Sequence, residues 1–231
     1  MSLWDFLFPP VCPHCGTSVA TQGDWCETCF NDLLHIRHVP KKFLHYVDDV
    51  CVLADYRGGL KSMIYDVKFN EKKEQSKGAA PFLASYNFYM KYDKFNIVNG
   101  NCSIIYDYII PVPSSEKKKI KRGYNQVDLF FKEWAHSLKK IDRRYFVWLD
   151  CIYKFDTSND MWALTNKERH QNIDDVFVIG ANYKDVELED KRVLIVDDIY
   201  TTGATVEAVA KVLRSYKPGK LDVLTLASGS F

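Results

Sequence analysis

In the segment Val193–Thr205, VLIVDDIYTTGAT, two adjacent carboxylates, Asp197 and Asp198, precede Thr201, Thr202, Gly203, Ala204 and Thr205. Such residue types can recognise a sugar phosphate. Val193–Val196 is a continuous β-rich run of the kind buried on both faces of a sheet, and Thr205–Tyr216 has helical patterning. The spacing predicts a strand ending at the acid pair, a tight loop and a helix start. Unpaired N–H groups at a helix start, aided by the helix dipole, attract an anion. Threonine hydroxyls add donors, and Gly203 lets the backbone close around a phosphate. Carboxylates would repel that phosphate, but they suit a ribose 2,3-diol, held directly or through Mg²⁺. Phosphate grip and diol grip on one loop describe a reader of ribose 5-phosphate. GxxxxGK[ST] and GxGxxG are both absent, which removes the usual loops for nucleoside triphosphates and dinucleotides. A phospho-receiver domain also opens like VLIVDD, but too little chain follows Asp198 to build one. The bland alternative is a structural strand–turn–helix with incidental acids.

A second set of residues could hold charge opposite that loop. Pro111-Val112-Pro113 stops an apolar run, and Lys117, Lys118, Lys119, Lys121 and Arg122 follow against the single acid Glu116. A mobile basic loop over the site could neutralise a pyrophosphate or other anionic leaving group. The alternative is a solvated charge run; resemblance to a known family, rather than the charge itself, makes Arg122 the first choice, then Lys119. Lys68, Arg169 and Asn172 are weaker candidates, and Arg169 serves equally well as a cap or ion pair of its own helix.

A third set is the quartet Cys12-x₂-Cys15 and Cys26-x₂-Cys29. Two such pairs fill a tetrahedral zinc ion, a closed and therefore structural site. A redox CxxC is the rival, and His14 an alternative ligand. Asp5, Asp24, Glu27 and Asp32 occupy this segment with no Lys or Arg before Arg37, so it is a poor phosphate-facing surface. Trp4, Phe6, Leu7 and Phe8 form an apolar edge suited to docking. Cys51, Cys102 and Cys151 lie in or beside apolar runs and read as core.

These sets need elements to position them. The chain has 231 residues, 47% of them hydrophobic, which suits one α/β domain with a small appendage. Its net charge of +1 argues against a surface coated for nucleic acid. No signal peptide or membrane-length apolar run is visible, so a soluble cytoplasmic protein is expected. Strands are expected at 50–54, 103–110, 148–155, 193–196 and 221–227. Helices are expected at 60–69, 79–92, 125–138, 165–172 and 205–216. The alternation predicts an open, mostly parallel sheet flanked by helices. The expected division is a zinc ribbon over 1–42 and an α/β domain over 43–231.

VLIVDDIYTTGAT resembles the phosphoribosyl pyrophosphate motif of type I phosphoribosyltransferases. Further pieces resemble one branch, the ComF family of competence protein F and GntX-like proteins. They are the cysteine quartet, Tyr56-Arg57-Gly58-Gly59 leading to Lys68-Phe69, Pro111-Val112-Pro113, Arg122-Gly123-Tyr124-Asn125-Gln126, and Glu168-Arg169 with Asn172 before Phe177. The chain departs from the pattern at Met161, where a Gln is usual, and at Asn70-Glu71, which displace a glycine. The resemblance implies a type I phosphoribosyltransferase fold, structural zinc on Cys12, Cys15, Cys26 and Cys29, and Mg²⁺-dependent binding of phosphoribosyl pyrophosphate. It implies Thr201–Thr205 on the 5-phosphate, and Lys119, Arg122, Val112 and Pro113 on the pyrophosphate. If there is chemistry, Asp197, Asp198 and Arg122 carry it, as a phosphoribosyl transfer to an acceptor for which no binding motif is visible. The alternatives are a non-enzymatic competence factor in DNA uptake and transformation, handling single-stranded DNA with a helicase partner, or a sensor of phosphoribosyl pyrophosphate.

Overall fold

The computed structural model describes residues 9–40, 42, 44–92, 97–98, 101–102, 106–142, 146–155 and 176–229. After the cysteine knuckles come α1 (Glu27–Leu33) and β1 (Leu34–His38). β2 (Asp49–Asp55), α2 (Gly58–Phe69) and α3 (Ala80–Tyr92) follow, the last entered through a 3₁₀ turn, Lys73–Ala79. A short antiparallel pair, β3 (Ile97–Val98) and β4 (Asn101–Cys102), precedes β5 (Tyr108–Pro111), α4 (Glu116–Arg122) and α5 (Gln126–Asp142). The chain ends with β6 (Val147–Trp148), β7 (Ile152–Lys154), β8 (Phe177–Ile179), β9 (Arg192–Tyr200), α6 (Ala204–Arg214) and β10 (Lys220–Ser228).

Six strands form one sheet in the order β1-β2-β10-β9-β5-β6. All its pairings are parallel except that of β1 with β2, so the expected open, mostly parallel sheet is what the chain builds. One face packs on α2, α3, α5 and the knuckles, burying Cys29, Leu33, Leu60, Phe82, Phe131 and Leu194. The other packs on α6 and the β7–β8 pair, burying Ile195, Val209, Leu213 and Phe177. Alternate residues of β9 thus enter two cores, as a strand covered on both faces must. Cys51 and Cys151 are buried as expected, while the side chain of Cys102 lies outside the described residues.

Three expectations are corrected. β9 does not end at Val196 but runs to Tyr200, so the acid pair lies inside the strand. The reason is its neighbour: β10 stays paired through Thr225↔Asp197, Ala227↔Ile199 and Ser228↔Tyr200, which satisfies the backbone past the carboxylates. The expected strand over 148–155 is two strands. Pairing with β5 lasts only to Ile109↔Trp148, and Ile152–Lys154 then takes β8 as an antiparallel partner. The expected basic loop is the helix α4. Ser115 enters it in extended conformation, and Gly123, at φ 75°, closes it with its N–H donating to Lys119 O at 2.7 Å. The like charges of Lys117 and Lys121 oppose this helix, which the left-handed Gly123 closes.

The helix expected over 165–172 and the apolar edge at Trp4–Phe8 lie outside the described residues, as do residues 103–105 of the strand expected at 103–110. Among the described residues no helix is long and apolar enough to cross a membrane.

Candidate functional site

The chain leaves β5 toward β6 on one side, and leaves β9 toward β10 on the other. Between these neighbours the strand order reverses, and the carboxyl edge of an open α/β sheet binds ligands at such a switch point. Their pairing stops at Pro111↔Val196, with one further bond from Val112 N–H to Val196 O at 2.9 Å. Beyond it, β9 keeps β10 on one side but has lost β5 on the other. Asp197 and Asp198 occupy that gap.

Both carboxylates are buried, Asp197 at 7% and Asp198 at 2% exposure. Asp198 Oδ1 accepts from Lys68 Nζ at 2.9 Å, and the Asp198 N–H donates to Asp197 Oδ1 at 2.8 Å. Burial, and then the Asp198 charge, push the Asp197 carboxyl well above the usual range, with Lys68 opposing. One cation thus faces two closely spaced carboxyls. Asp198 Oδ2 is buried with no hydrogen-bond partner; so are Ser115 Oγ, just past β5, and Thr225 Oγ1, on the residue beside Asp197 in β10. Buried polar atoms are nearly always paired, so an unpartnered carboxylate oxygen beside this gap is a sign of a binding site.

The turn after β9 carries hydroxyl and glycine residues to the same edge. Thr201, Thr202, Ala204 and Thr205 are exposed and Gly203 is buried. Gly203 adopts φ 81°, and a Cβ there would collide with the Tyr200 hydroxyl. Gly203, the N-cap of α6, has no side chain to offer, and the first-turn donors of Thr205 and Val206 have no intrahelical partner. The Ala204 N–H reaches Thr202 Oγ1 at 3.4 Å.

The opposite wall is a hydrogen-bonded clip. Asn125, 3% exposed, donates to Val112 O at 3.2 Å, and its Oδ1 accepts from Ser114 N–H and Oγ at 3.2 and 3.1 Å. Gln126 Oε1 accepts from Ser114 Oγ and, at 3.1 Å, from Arg122. The Tyr124 hydroxyl donates to Val67 O at 2.6 Å, tying this wall to the end of α2. Val112 and Pro113 therefore stand at the mouth of the gap. The Arg122 guanidinium lies 5.3 Å from the Phe69 ring centroid, and Lys119 stands 3.9 Å from Asp150. Lys119, Ser114, Asn125 and Asp150 line a cleft of about 150 Å³ beside β5.

Of the residues singled out by sequence, the fold brings Asp197, Asp198, Val112, Pro113 and the Thr201–Thr205 turn to one edge. Lys68, only a weaker candidate, is the cation actually on the acid pair. Arg169, Asn172 and Met161 lie outside the described residues. Sequence reasoning assigned no role to Ser114, Tyr124, Asn125 or Gln126. A polar pair placed just before an amphipathic helix was the available signal. Asp128 was missed as well; burial first, then Asp150, raises its carboxyl to about 6.

At the N-terminus, ligand atoms of Cys12, Cys15, Cys26 and Cys29 all lie within 4.8 Å of one another. Tetrahedral Zn–S bonds of about 2.3 Å place sulfurs roughly 3.8 Å apart, so the quartet fits one zinc ion. The first knuckle is held by Cys12 N–H to Thr17 O at 2.8 Å and turns at Gly16, φ 74°. The Thr17 hydroxyl above all draws Cys15 down to about 6, whereas burial pushes Cys29 up. His14 lies instead against the start of α2, where a Cβ on Gly59 would come 2.6 Å from His14 Cβ.

This mostly parallel sheet with an acid pair at its switch point, and the cysteine cluster before it, have the architecture of a phosphoribosyltransferase domain with a zinc-ribbon-like module. Residues 160–230 match the family described as Phosphoribosyl transferase domain, and residues 3–40 match Double zinc ribbon domain. Over most of its length the chain is similar to Competence protein F of Haemophilus influenzae, 24% identical across 94% of this chain and 84% of that one. It is likewise similar to DNA utilization protein YhgH of Salmonella typhimurium, at 23% across 88% of this chain and 77% of the relative. The Escherichia coli K12 protein of that name is 22% identical over the same shares. The chain is thus similar over most of its length to the competence protein F and YhgH proteins, and its cysteine quartet is placed to hold structural zinc.

Proposed function

We propose that the protein binds phosphoribosyl pyrophosphate with Mg²⁺ in the gap between β5 and β9. The observation that carries this reading is the buried carboxylate pair with one cation, Lys68, and an unpartnered Asp198 Oδ2, one turn before an uncapped helix. Asp197 and Asp198 accept from the ribose diol or hold the metal. Thr201, Thr202, Gly203, Ala204 and Thr205 enclose the 5-phosphate with hydroxyl and backbone donors. The Val112–Ser114 wall, fixed by Asn125, carries the pyrophosphate, with Arg122 and Lys119 supplying positive charge from α4. Mg²⁺, when bound, neutralises charge that builds on the pyrophosphate. Transfer breaks the bond from C1 to the pyrophosphate oxygen as an acceptor's lone pair closes on C1. The ring passes through an oxocarbenium-like state that the buried carboxylates stabilise.

We assign residues 1–42 to the ribbon and 43–231 to the phosphoribosyltransferase-like domain, with β1 as the part of the ribbon segment that the sheet takes up. We carry the relatives' printed roles, competence and DNA utilization, to this chain as its setting. The cytoplasm is the proposed compartment, because reducing conditions there keep zinc-binding thiols intact.

Calorimetric titration of zinc-loaded protein with Mg²⁺ and phosphoribosyl pyrophosphate tests the reading. Wild type binds, and Asp197→Asn with Asp198→Asn weakens binding by about 100-fold or more, equivalent to about 2.7 kcal/mol. Folded wild type with no heat of binding at millimolar ligand would falsify the proposal.

A further inference from the structure

Helix α2 starts where the local sequence gives a helix little support. Its N-cap, Arg57, makes no side-chain cap bond, and its first two residues are Gly58 and Gly59, which favour a helix least after proline. Support comes from the ribbon instead. The Arg57 guanidinium donates to Asp32 Oδ2 at 2.7 Å and to Asp32 O at 2.6 Å, on α1. His14 of the first knuckle covers both glycines, so close that a Cβ on Gly58 would come 3.1 Å from His14 Cε1. Deeper in, Cys12, Cys29 and Leu33 share one core with Leu60, Met63 and Ile64 of α2. The far end of the same helix reaches the gap by two arms. Lys68 Nζ donates to Asp198 Oδ1 at 2.9 Å, and Val67 O accepts from the Tyr124 hydroxyl of the opposite wall. The helix between has 12 residues, about 18 Å at the helical rise, and Leu60, Ile64 and Val67 are fully buried along it. A short helix set in a close-packed core moves as one body, so its last turn follows its first.

We infer that the ribbon is a positioning element for the gap between β5 and β9: by seating the first turn of α2, it sets Lys68 on Asp198 and Val67 against Tyr124. Coupling between distant sites needs an element with two discrete states, and the cysteine quartet supplies it. Small zinc modules are folded when loaded and unfolded when empty. His14 lies between the ligands Cys12 and Cys15, and Asp32 follows Cys29 on the same short helix, so both hold their places on α2 only while the quartet is closed. Whatever completes the gap and whatever closes the quartet then strengthen each other's binding, by the same factor in each direction. The part of this inference that concerns phosphoribosyl pyrophosphate rests on the reading proposed above. The part that links the ribbon to Lys68 does not.

Two experiments on the zinc-loaded full chain keep these parts distinct. The first uses no ligand and times the transfer of zinc to a chromogenic chelator. Lys68→Met is compared with Lys220→Met, which breaks a similar pair, 2.7 Å from Lys220 Nζ to buried Asp222 at the start of β10. Lys68→Met quickens zinc loss about fivefold, while Lys220→Met stays within about twofold of wild type. No acceleration by Lys68→Met overturns the inference, and so does equal acceleration by both, which would trace the effect to general stability. The second experiment titrates phosphoribosyl pyrophosphate with Mg²⁺ into chains carrying one zinc each. His14→Ala with Arg57→Ala, outside both the quartet and the gap, binds about fivefold more weakly than wild type, and saturating ligand slows zinc loss from wild type by a similar factor. A double variant with wild-type affinity, or zinc loss that the ligand does not slow, overturns the inference and leaves the phosphoribosyl reading standing. Wild type that gives no heat overturns that reading instead, and the zinc-transfer comparison then decides the ribbon's role by itself.

Discussion

The two ends of α2 meet two contrasting sites. At its first turn, Gly58 and Gly59 take the backbone and ring of His14, and Arg57 just before it grips Asp32 of α1 at 2.7 Å. At its last turn, Lys68 reaches Asp198. The first site is closed: four thiols gathered within 4.8 Å can fill every position of a tetrahedral ion. The second is open, with Asp198 Oδ2 buried without a hydrogen-bond partner ahead of a helix whose N-cap is Gly203. A closed set of ligands stabilises a fold. An open set costs stability until something else completes it, which is the mark of a place built for a ligand.

The contrast breaks most visibly at the ribbon. Structural zinc contributes outright to folding, and its removal unfolds small zinc modules. Cys29→Ser, or a strong chelator on wild type, is expected to release the ion and unfold the knuckles and α1. Zinc content by metal assay should fall from one per chain to well under one, with the thermal transition broadened or lost. A variant that keeps both zinc content and melting temperature would show the quartet to be dispensable.

A smaller effect tests whether the ribbon is seated on α2 or merely tethered to it. Gly59 is in ordinary helical conformation, so alanine there meets no backbone penalty and only the contact with His14 resists it. Overpacking of this kind costs about 1–3 kcal/mol, or a few degrees in melting temperature. Gly59→Ala should lower that temperature, and His14→Ala in the same chain should not restore it, because alanine keeps the Cβ, Cα and N of position 14 that crowd the new methyl. An unchanged melting temperature in Gly59→Ala would show that the knuckle is merely tethered to α2.

The same contrast governs what was legible in the sequence. The ribbon is written locally: Cys12, Cys15, Cys26 and Cys29 lie within one short stretch, and their spacing alone predicts the cluster. The sheet was legible from alternation of apolar runs, because periodicity is also local. The open site is assembled from Lys68, Ser114, Asn125 and Asp197, which only the strand order β10-β9-β5 brings together. Hence the Thr201–Thr205 turn stands out by itself, while Lys68, the cation on Asp198, ranks below Arg122 and Lys119 in the sequence. The end of β9 was misplaced for a related reason. Carboxylates look like strand terminators in one dimension, but β10 pairs past them. α4 was missed because five positive charges oppose a helix, and the signal for it is the single Gly123 that closes its end.

The subtlest test lies in Asp197 itself, where function and stability should move in opposite directions. Burial raises its folded-state pKa above the unfolded value, so the folded protein favours the protonated form. For such a group, stability is greatest below the unfolded pKa, near 3.9, and is lost as pH rises through the folded pKa. Asparagine is neutral at every pH, and its side-chain oxygen can still accept from the Asp198 N–H. Asp197→Asn is therefore expected to stabilise the protein by about 1 kcal/mol at pH 8, with the gain shrinking toward pH 4. Denaturant melts of both chains across that range measure it. A gain that persists undiminished at pH 4 would mean that charge burial is not what Asp197 costs the fold. A loss of stability at pH 8 would mean that Asp197 is held there by contacts that favour its charge, and the gap would then be a finished structural feature like the ribbon rather than an open one.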